Sequence, residues 1–191
     1  MSGALSPTEW TWDEYARLPD DGNRYEVLDG EVLVTPAPGI PHQRVAARLF
    51  GLLSRYVDAH GVGEMLWDVD LLFAKGQFLR PDMLFVPRAL RDALPDRGVD
   101  VTPGLVVEVL SPSSGHNDLQ KKPGRYIELG VPAYWVVDAT HRVVLVWSPT
   151  DMPSPRTVKD SLVWRPDPAV DPLQLEVQAL FADPAARSPQ R

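Results

Sequence analysis

From Leu105 to Leu110 the chain reads Leu-Val-Val-Glu-Val-Leu, five aliphatic residues and one carboxylate. Such a run predicts a core strand, over 106–110, and makes Glu108 the residue any fold of this chain must accommodate. Ionised and unpaired in a core, its carboxylate would cost on the order of several kcal/mol. Something must compensate it.

The surrounding pattern places that strand in an α+β (α/β-like) domain. Thr11 followed by Glu14 is a capping box opening a short helix over 12–18. Two β-prone runs about Asp29-Gly30 predict a hairpin of strands 24–28 and 31–35. Apolar residues at helical spacing from Val45 to Val57 predict a helix over about 41–59, ended by His60-Gly61. Two long strands, 64–73 and 77–86, come next, and Pro81 within the second marks an edge position or a bend. A short helix near 88–94 leads to the Glu108 strand, a loop over 111–117 and a helix reaching Leu129. Residues 132–147 predict two strands about a tight turn, and weak strands lie near 161–164 and 173–177. With no repeat and no interdomain linker, the ordering predicts a mixed central sheet flanked by helices, preceded by an N-terminal β-hairpin, in one domain over 1–181. Residues 182–191 are expected to form a frayed tail.

Composition narrows the function. The chain has 191 residues and no cysteine, so any metal must be held by oxygen or imidazole ligands. Its apolar runs fall far short of the roughly 20 residues of a membrane span, and its opening residues lack a basic-then-apolar signal pattern, so the expectation is a cytoplasmic protein with no membrane partner. A net charge of −7 argues against nucleic-acid binding over the whole surface and leaves a local basic patch, at Lys121, Lys122 and Arg125, as the way to achieve it. Trp135, Trp147 and Trp164 suit a core, whereas Trp10, Trp12 or Trp67 could line a cleft.

Asp82 is the second acid in a strand-like run. If its strand neighbours that of Glu108, the two carboxylates share a site, which is stable only with a cation or a shared proton between them. Magnesium or manganese suits oxygen ligands of this kind. Pairing of each acid with an arginine such as Arg80 or Arg125 is the alternative. Lys122, on the helix after the Glu108 strand, is placed to return over that strand and set an ammonium beside the acids, or else to remain a solvated surface charge.

Taken in order, "RYEVLDGEVLV", "PHQRV", "RPDMLFV", "LVVEVLSPSS" and "DLQKKPGRYIELGVPAYWVVD" resemble the Uma-type (Uma two) family of restriction-endonuclease-like proteins in the PD-(D/E)XK nuclease superfamily, from about Thr11 to Phe181. The resemblance implies a restriction-endonuclease-like core with a magnesium-dependent phosphodiesterase site. Position by position, Asp82 matches the family's Pro-Asp acid, Glu108 its second acid and Lys122 its lysine. The superfamily's usual lysine position falls on Leu110, so the cation must come from the helix. Asp82, Glu108 and the backbone carbonyl of Val109 would then hold Mg2+ or Mn2+, and Lys122 would orient or activate the attacking water.

Glu26 and Glu31 in the hairpin, and His42 and Gln43 at the start of the long helix, match further family positions. Either glutamate is a candidate third acid, and His42 and Gln43 are candidate substrate contacts. Pro123 directly after Lys122 places the helix start there and makes Lys121 a substitute for the lysine role. The implied function is a metal-dependent endonuclease acting on phosphodiester bonds, with DNA as partner and a homodimer as an allowed assembly. The alternative is a catalytically inactive nuclease-like module that binds nucleic acid or protein.

Overall fold

The computed structural model describes residues 9–73 and 76–182. The chain opens with α1 (Trp12–Tyr15), whose Thr11–Glu14 capping box is formed, and the hairpin of β1 (Asn23–Leu28) and β2 (Glu31–Pro36). The long helix α2 (Ile40–His60) starts with a proline in its first turn and ends at Gly61, whose φ of 61° is the left-handed conformation glycine adopts without strain.

Each of the two long strands predicted next is broken in two, giving β3 (Gly63–Trp67), β4 (Leu71–Phe73), β5 (Gln77–Leu79) and β6 (Met83–Pro87). Asp68, at φ 50°, turns the chain out of β3, and Pro81 lies between β5 and β6. α3 (Arg88–Arg91) and β7 (Leu105–Val109) follow, then a π-helical turn (Asn117–Lys121) running into α4 (Lys122–Glu128). The described chain ends with β8 (Tyr134–Asp138), β9 (Val143–Trp147), β10 (Arg156–Val158), β11 (Ser161–Trp164), β12 (Leu173–Glu176) and α5 (Val177–Leu180). The tail expected from 182 lies, apart from Ala182, outside the described residues.

The breaks arise because the chain serves two sheets. β3 and β6 belong to a mixed six-stranded sheet ordered β10-β9-β8-β7-β6-β3, whereas β4 and β5 belong to a smaller one ordered β2-β1-β5-β4. β6 is an interior strand, so Pro81 marks a bend and not an edge. Among the described strands, β7 and β8 alone pair in parallel, as the crossover through α4 between them requires.

Both faces of the central sheet are covered, which is why β7 is apolar on both parities. Leu105, Val107 and Val109 pack in the layer that holds Leu49, Leu53 and Val57 of α2. Val106 packs on the opposite face with Leu28, Leu33 and Leu79 of the small sheet and Tyr126 of α4. Trp135, Trp147 and Trp164 are buried in these layers, as predicted. Among the described residues, no helix is long and apolar enough to cross a membrane.

Candidate active site

Strand parity decides which polar side chains meet. Glu108 shares a face of β7 with Val106, and Asp82 shares a face with Leu84 and Val86, all turned toward the small sheet. Glu26, in step with Leu28 on β1, faces them from that sheet. All three acids are buried, and backbone donors fix them in place. The Asp82 N–H donates to Glu108 Oε2 at 3.2 Å, while the Val109 N–H donates to Asp82 Oδ2 at 2.8 Å. Each acid is thus held by the backbone at or beside the other. The Arg80 N–H donates to Glu26 Oε1 at 2.9 Å.

Lys122 is the buried cation among them, only 3% exposed at the first position of α4. Its Nζ donates to Glu108 Oε1 at 2.8 Å and lies 2.9 Å from Glu26 Oε2 and 3.0 Å from Asp118 Oδ1. The last two are ion pairs out of hydrogen-bond alignment. Burial alone would push the Lys122 ammonium down, but Glu108 first, then Glu26 and Asp118, outweigh it and hold it well above the usual lysine range. Burial drives Glu108 the other way, well above the ordinary carboxyl range, because repulsion from Asp118, Asp82 and Glu26 adds to it and outweighs the opposing pull of Lys122. Lys122 is therefore held in its charged form around neutral pH.

Asp82 has separate partners. Arg24 donates to Oδ1 at 2.6 Å and also reaches Asp68 Oδ1 at 2.5 Å, while His42 Nε2 lies 2.9 Å from Oδ2. Burial would raise the Asp82 carboxyl, but His42, Arg24 and the Val109 N–H together hold it below its ordinary value. His42 Nδ1 is buried without a partner among the described residues. These groups surround a cleft of about 30 Å³, room for a water or an ion and too small for a nucleotide, with Ser111 and Ser114 of the loop after β7 on its wall.

A family model described as "Uma2: Putative restriction endonuclease" matches residues 12–178. The chain belongs to the Uma2 family. No curated protein matches it. Among solved structures it is similar to a protein described as a "putative nuclease belonging to DUF820" from Anabaena variabilis ATCC 29413, at 18% identity and a TM-score of 0.71, over 88% of this chain and 96% of that one. That likeness establishes a shared fold, and Uma2 membership places the chain in a nuclease family.

Within this Uma2 chain, Asp82, Glu108, Lys122, Glu26 and His42 come together with Val109, but Glu31, Gln43 and Lys121 do not. Lys121 pairs with Glu31 at 2.7 Å at the surface, and Gln43 is exposed. Nor is there a free basic patch at 121–125, since Lys122 is buried and Arg125 pairs with Asp29 and Glu128. Pro123 fits because it stands in the first turn of α4, where its missing N–H is not needed.

Asp118, Arg24 and Asp68 were not singled out from sequence. Asp118 lies four residues before Lys122, a spacing that pairs side chains along a helix, and Arg24 shares strand parity with Glu26. Arg24, not Arg80 or Arg125, is the arginine that neutralises Asp82. Arg80 pairs instead with Asp68, at 3.1 Å.

The donor set suits a hard divalent ion. Among the described residues no three His, Asp or Glu side chains form a ready-made metal cage. Magnesium needs none, because one or two carboxylates with water and phosphate oxygens satisfy it. A carboxylate offers about four acceptor sites, and the N–H groups contacting Asp82 and Glu108 leave some open. Counted as ionised, Glu26, Asp68, Asp82, Glu108 and Asp118 outnumber Lys122, Arg24 and Arg80 by two charges.

Proposed function

We propose that the protein is a metal-dependent endonuclease that hydrolyses phosphodiester bonds, with DNA as its substrate. The observation that carries this reading is the backbone-locked pair of Asp82 and Glu108 with a charged Lys122 beside it. Asp82, Glu108 and the Val109 carbonyl would hold Mg2+ or Mn2+, which when bound would polarise a phosphate oxygen and lower the pKa of a bound water.

The protein's own residues do the rest. Lys122, kept protonated, cannot accept a proton from water. It acts as a charge that holds Glu108 and Glu26 in place and favours the negative charge that develops on the phosphate oxygens as water attacks and the opposite P–O bond breaks, the water's proton passing to solvent and the departing oxygen taking one from it. The cleft admits a water but no nucleotide, so the strand must lie across its mouth with one phosphate presented to the acids. Arg24, 20% exposed between Asp68 and Asp82, is available to that phosphate.

The test is cleavage of plasmid and single-stranded DNA with magnesium or manganese by the wild type, Asp82→Ala and Glu108→Ala. The expected result is a loss of at least about a hundredfold in both variants, and cleavage by the variants at the wild-type rate would sink the reading. One observation favours a second reading, a catalytically silent binding module: Arg24 and Lys122 already neutralise much of the acid cluster from within. Calorimetry separates the two, since a silent module takes up no divalent ion at millimolar concentration.

A further inference from the structure

A second cleft, of about 460 Å³, opens between α1 and the small sheet. Trp12 and Tyr15 of α1 and Tyr25 of β1 line it, with Asp20, Asn23 and Asp70 supplying polar groups and Arg80 closing one side. Arg80 also lines the acidic cleft. One side chain therefore walls both openings, which sets the second cleft beside the first.

The aromatic wall is built more firmly than a four-residue helix can manage by itself. The Thr11–Glu14 capping box closes its N-terminus, Tyr15 stacks on Phe78 with centroids 4.8 Å apart, and Trp12 meets Phe78 edge-on at 6.1 Å. The Tyr15 hydroxyl donates to Asp70 Oδ1 at 2.8 Å and lies 3.1 Å from the Tyr25 carbonyl. On the facing wall, the Tyr25 hydroxyl donates to Asp21 at 2.9 Å. Trp12 and Tyr25 nonetheless remain partly exposed. Rings held rigid yet open to solvent are what a planar ligand needs, and the carboxylates around them accept hydrogen bonds from amino and imino groups.

We propose that this cleft binds an unpaired nucleobase next to the scissile phosphate, so that the substrate is single-stranded, or locally unpaired, nucleic acid. A base inside a duplex cannot enter such a cleft without leaving the stack, whereas a single strand offers its bases freely. The acidic rim suits the base and not the backbone: it repels phosphate and accepts from the exocyclic amines. The inference rests on the nuclease reading only for where the phosphate sits.

The test is binding, measured by fluorescence anisotropy in EDTA so that no cleavage occurs, of a labelled single-stranded DNA oligonucleotide, the same backbone made abasic, and the same strand annealed to its complement. The wild type is expected to bind the base-bearing strand about tenfold more tightly than the abasic one and more tightly than the duplex. Trp12→Ala and, on the other wall, Tyr25→Ala should each reduce the preference for bases severalfold while leaving affinity for the abasic strand unchanged. Equal binding of base-bearing and abasic strands by the wild type overturns the proposal, as does an unchanged preference in folded variants at both walls. A base preference without any metal-dependent cleavage would uphold this site and remove the nuclease reading; cleavage without a base preference would do the reverse.

Discussion

Glu108 answers the question its sequence context raises: the compensating cation is Lys122, at 2.8 Å, and the remaining Glu108 oxygen takes the Asp82 N–H. Compensation is incomplete, because burial and neighbouring acids still push the Glu108 carboxyl well up. The folded protein then holds a proton there at pH values where the unfolded chain, with a glutamate pKa of about 4.3, has lost it. Stability from this residue is therefore present at low pH and lost as pH rises toward the raised value. In EDTA, Glu108→Gln should melt above the wild type at pH 8, by at least about 1 kcal/mol or roughly 2–4 °C, with the gap closing toward pH 5. Lys122→Met moves oppositely, because Glu26, Glu108 and Asp118 lose their common cation, and should cost about 3–5 kcal/mol near neutrality. Thermal melts across that pH range check both, and a gap for Glu108→Gln that stays constant with pH would mean that Glu108 is ionised throughout.

At the scale of elements, the acids were legible and their supports were not. An acid in an apolar strand run announces itself, as Asp82 and Glu108 do, and the family motif adds Glu26 and Glu31 as candidates for a third acid. Arg24 gave no such signal, since an arginine on a half-exposed hairpin reads as a solvated charge until a second sheet folds over it. The hydrophobic pattern of the two long predicted strands continues across Asp68 and Pro81, although the chain changes sheets there. The π-helical turn before α4 has no signature of its own in the sequence, where it reads as the start of the helix that follows. Pro123 ends that register. A π-helical N–H at position 123 would bond the Asp118 carbonyl five residues back, but proline has none, and the buried Tyr134 hydroxyl donates to that carbonyl instead, at 3.0 Å. Tyr134→Phe should therefore cost about 1–3 kcal/mol by leaving the carbonyl unsatisfied. Pro123→Ala should cost under about 1 kcal/mol and restore a donor, so the double variant should be at least about 0.5 kcal/mol more stable than the sum of the single changes predicts. Urea denaturation of the four proteins measures the coupling, and strict additivity would show that the two donors do not share the carbonyl.

For the whole molecule, the central sheet and its two covering layers hold the site rigid, while the net charge of −7 sets how it can meet nucleic acid. An acidic chain gains little from long-range attraction to phosphate, and its candidate basic patch is already paired internally. A bound divalent ion would change that locally, reducing the excess of acid around the cleft where the proposed phosphate would approach. Asp82 and Glu108 lie at the central sheet and Arg24, which shares Asp82, lies on the small one, so an ion at the acids would compete with that cross-layer pair. An ion that binds only the folded state stabilises it by RT ln(1 + [L]/Kd), about 2.7 kcal/mol at one hundred times Kd. For a chain of this length that is a rise of roughly 5–10 °C in Tm. Manganese titrated against the wild type should give such a rise, reversed by EDTA, while Asp82→Ala should show less than a third of it at the same concentration. Arg24→Gln should bind manganese more tightly than the wild type, because it removes the side chain that competes for Asp82 Oδ1. Equal shifts in the wild type and Asp82→Ala would place the ion elsewhere on the molecule, and the two facing carboxylates would then be a structural pair held by Lys122 and Arg24 alone.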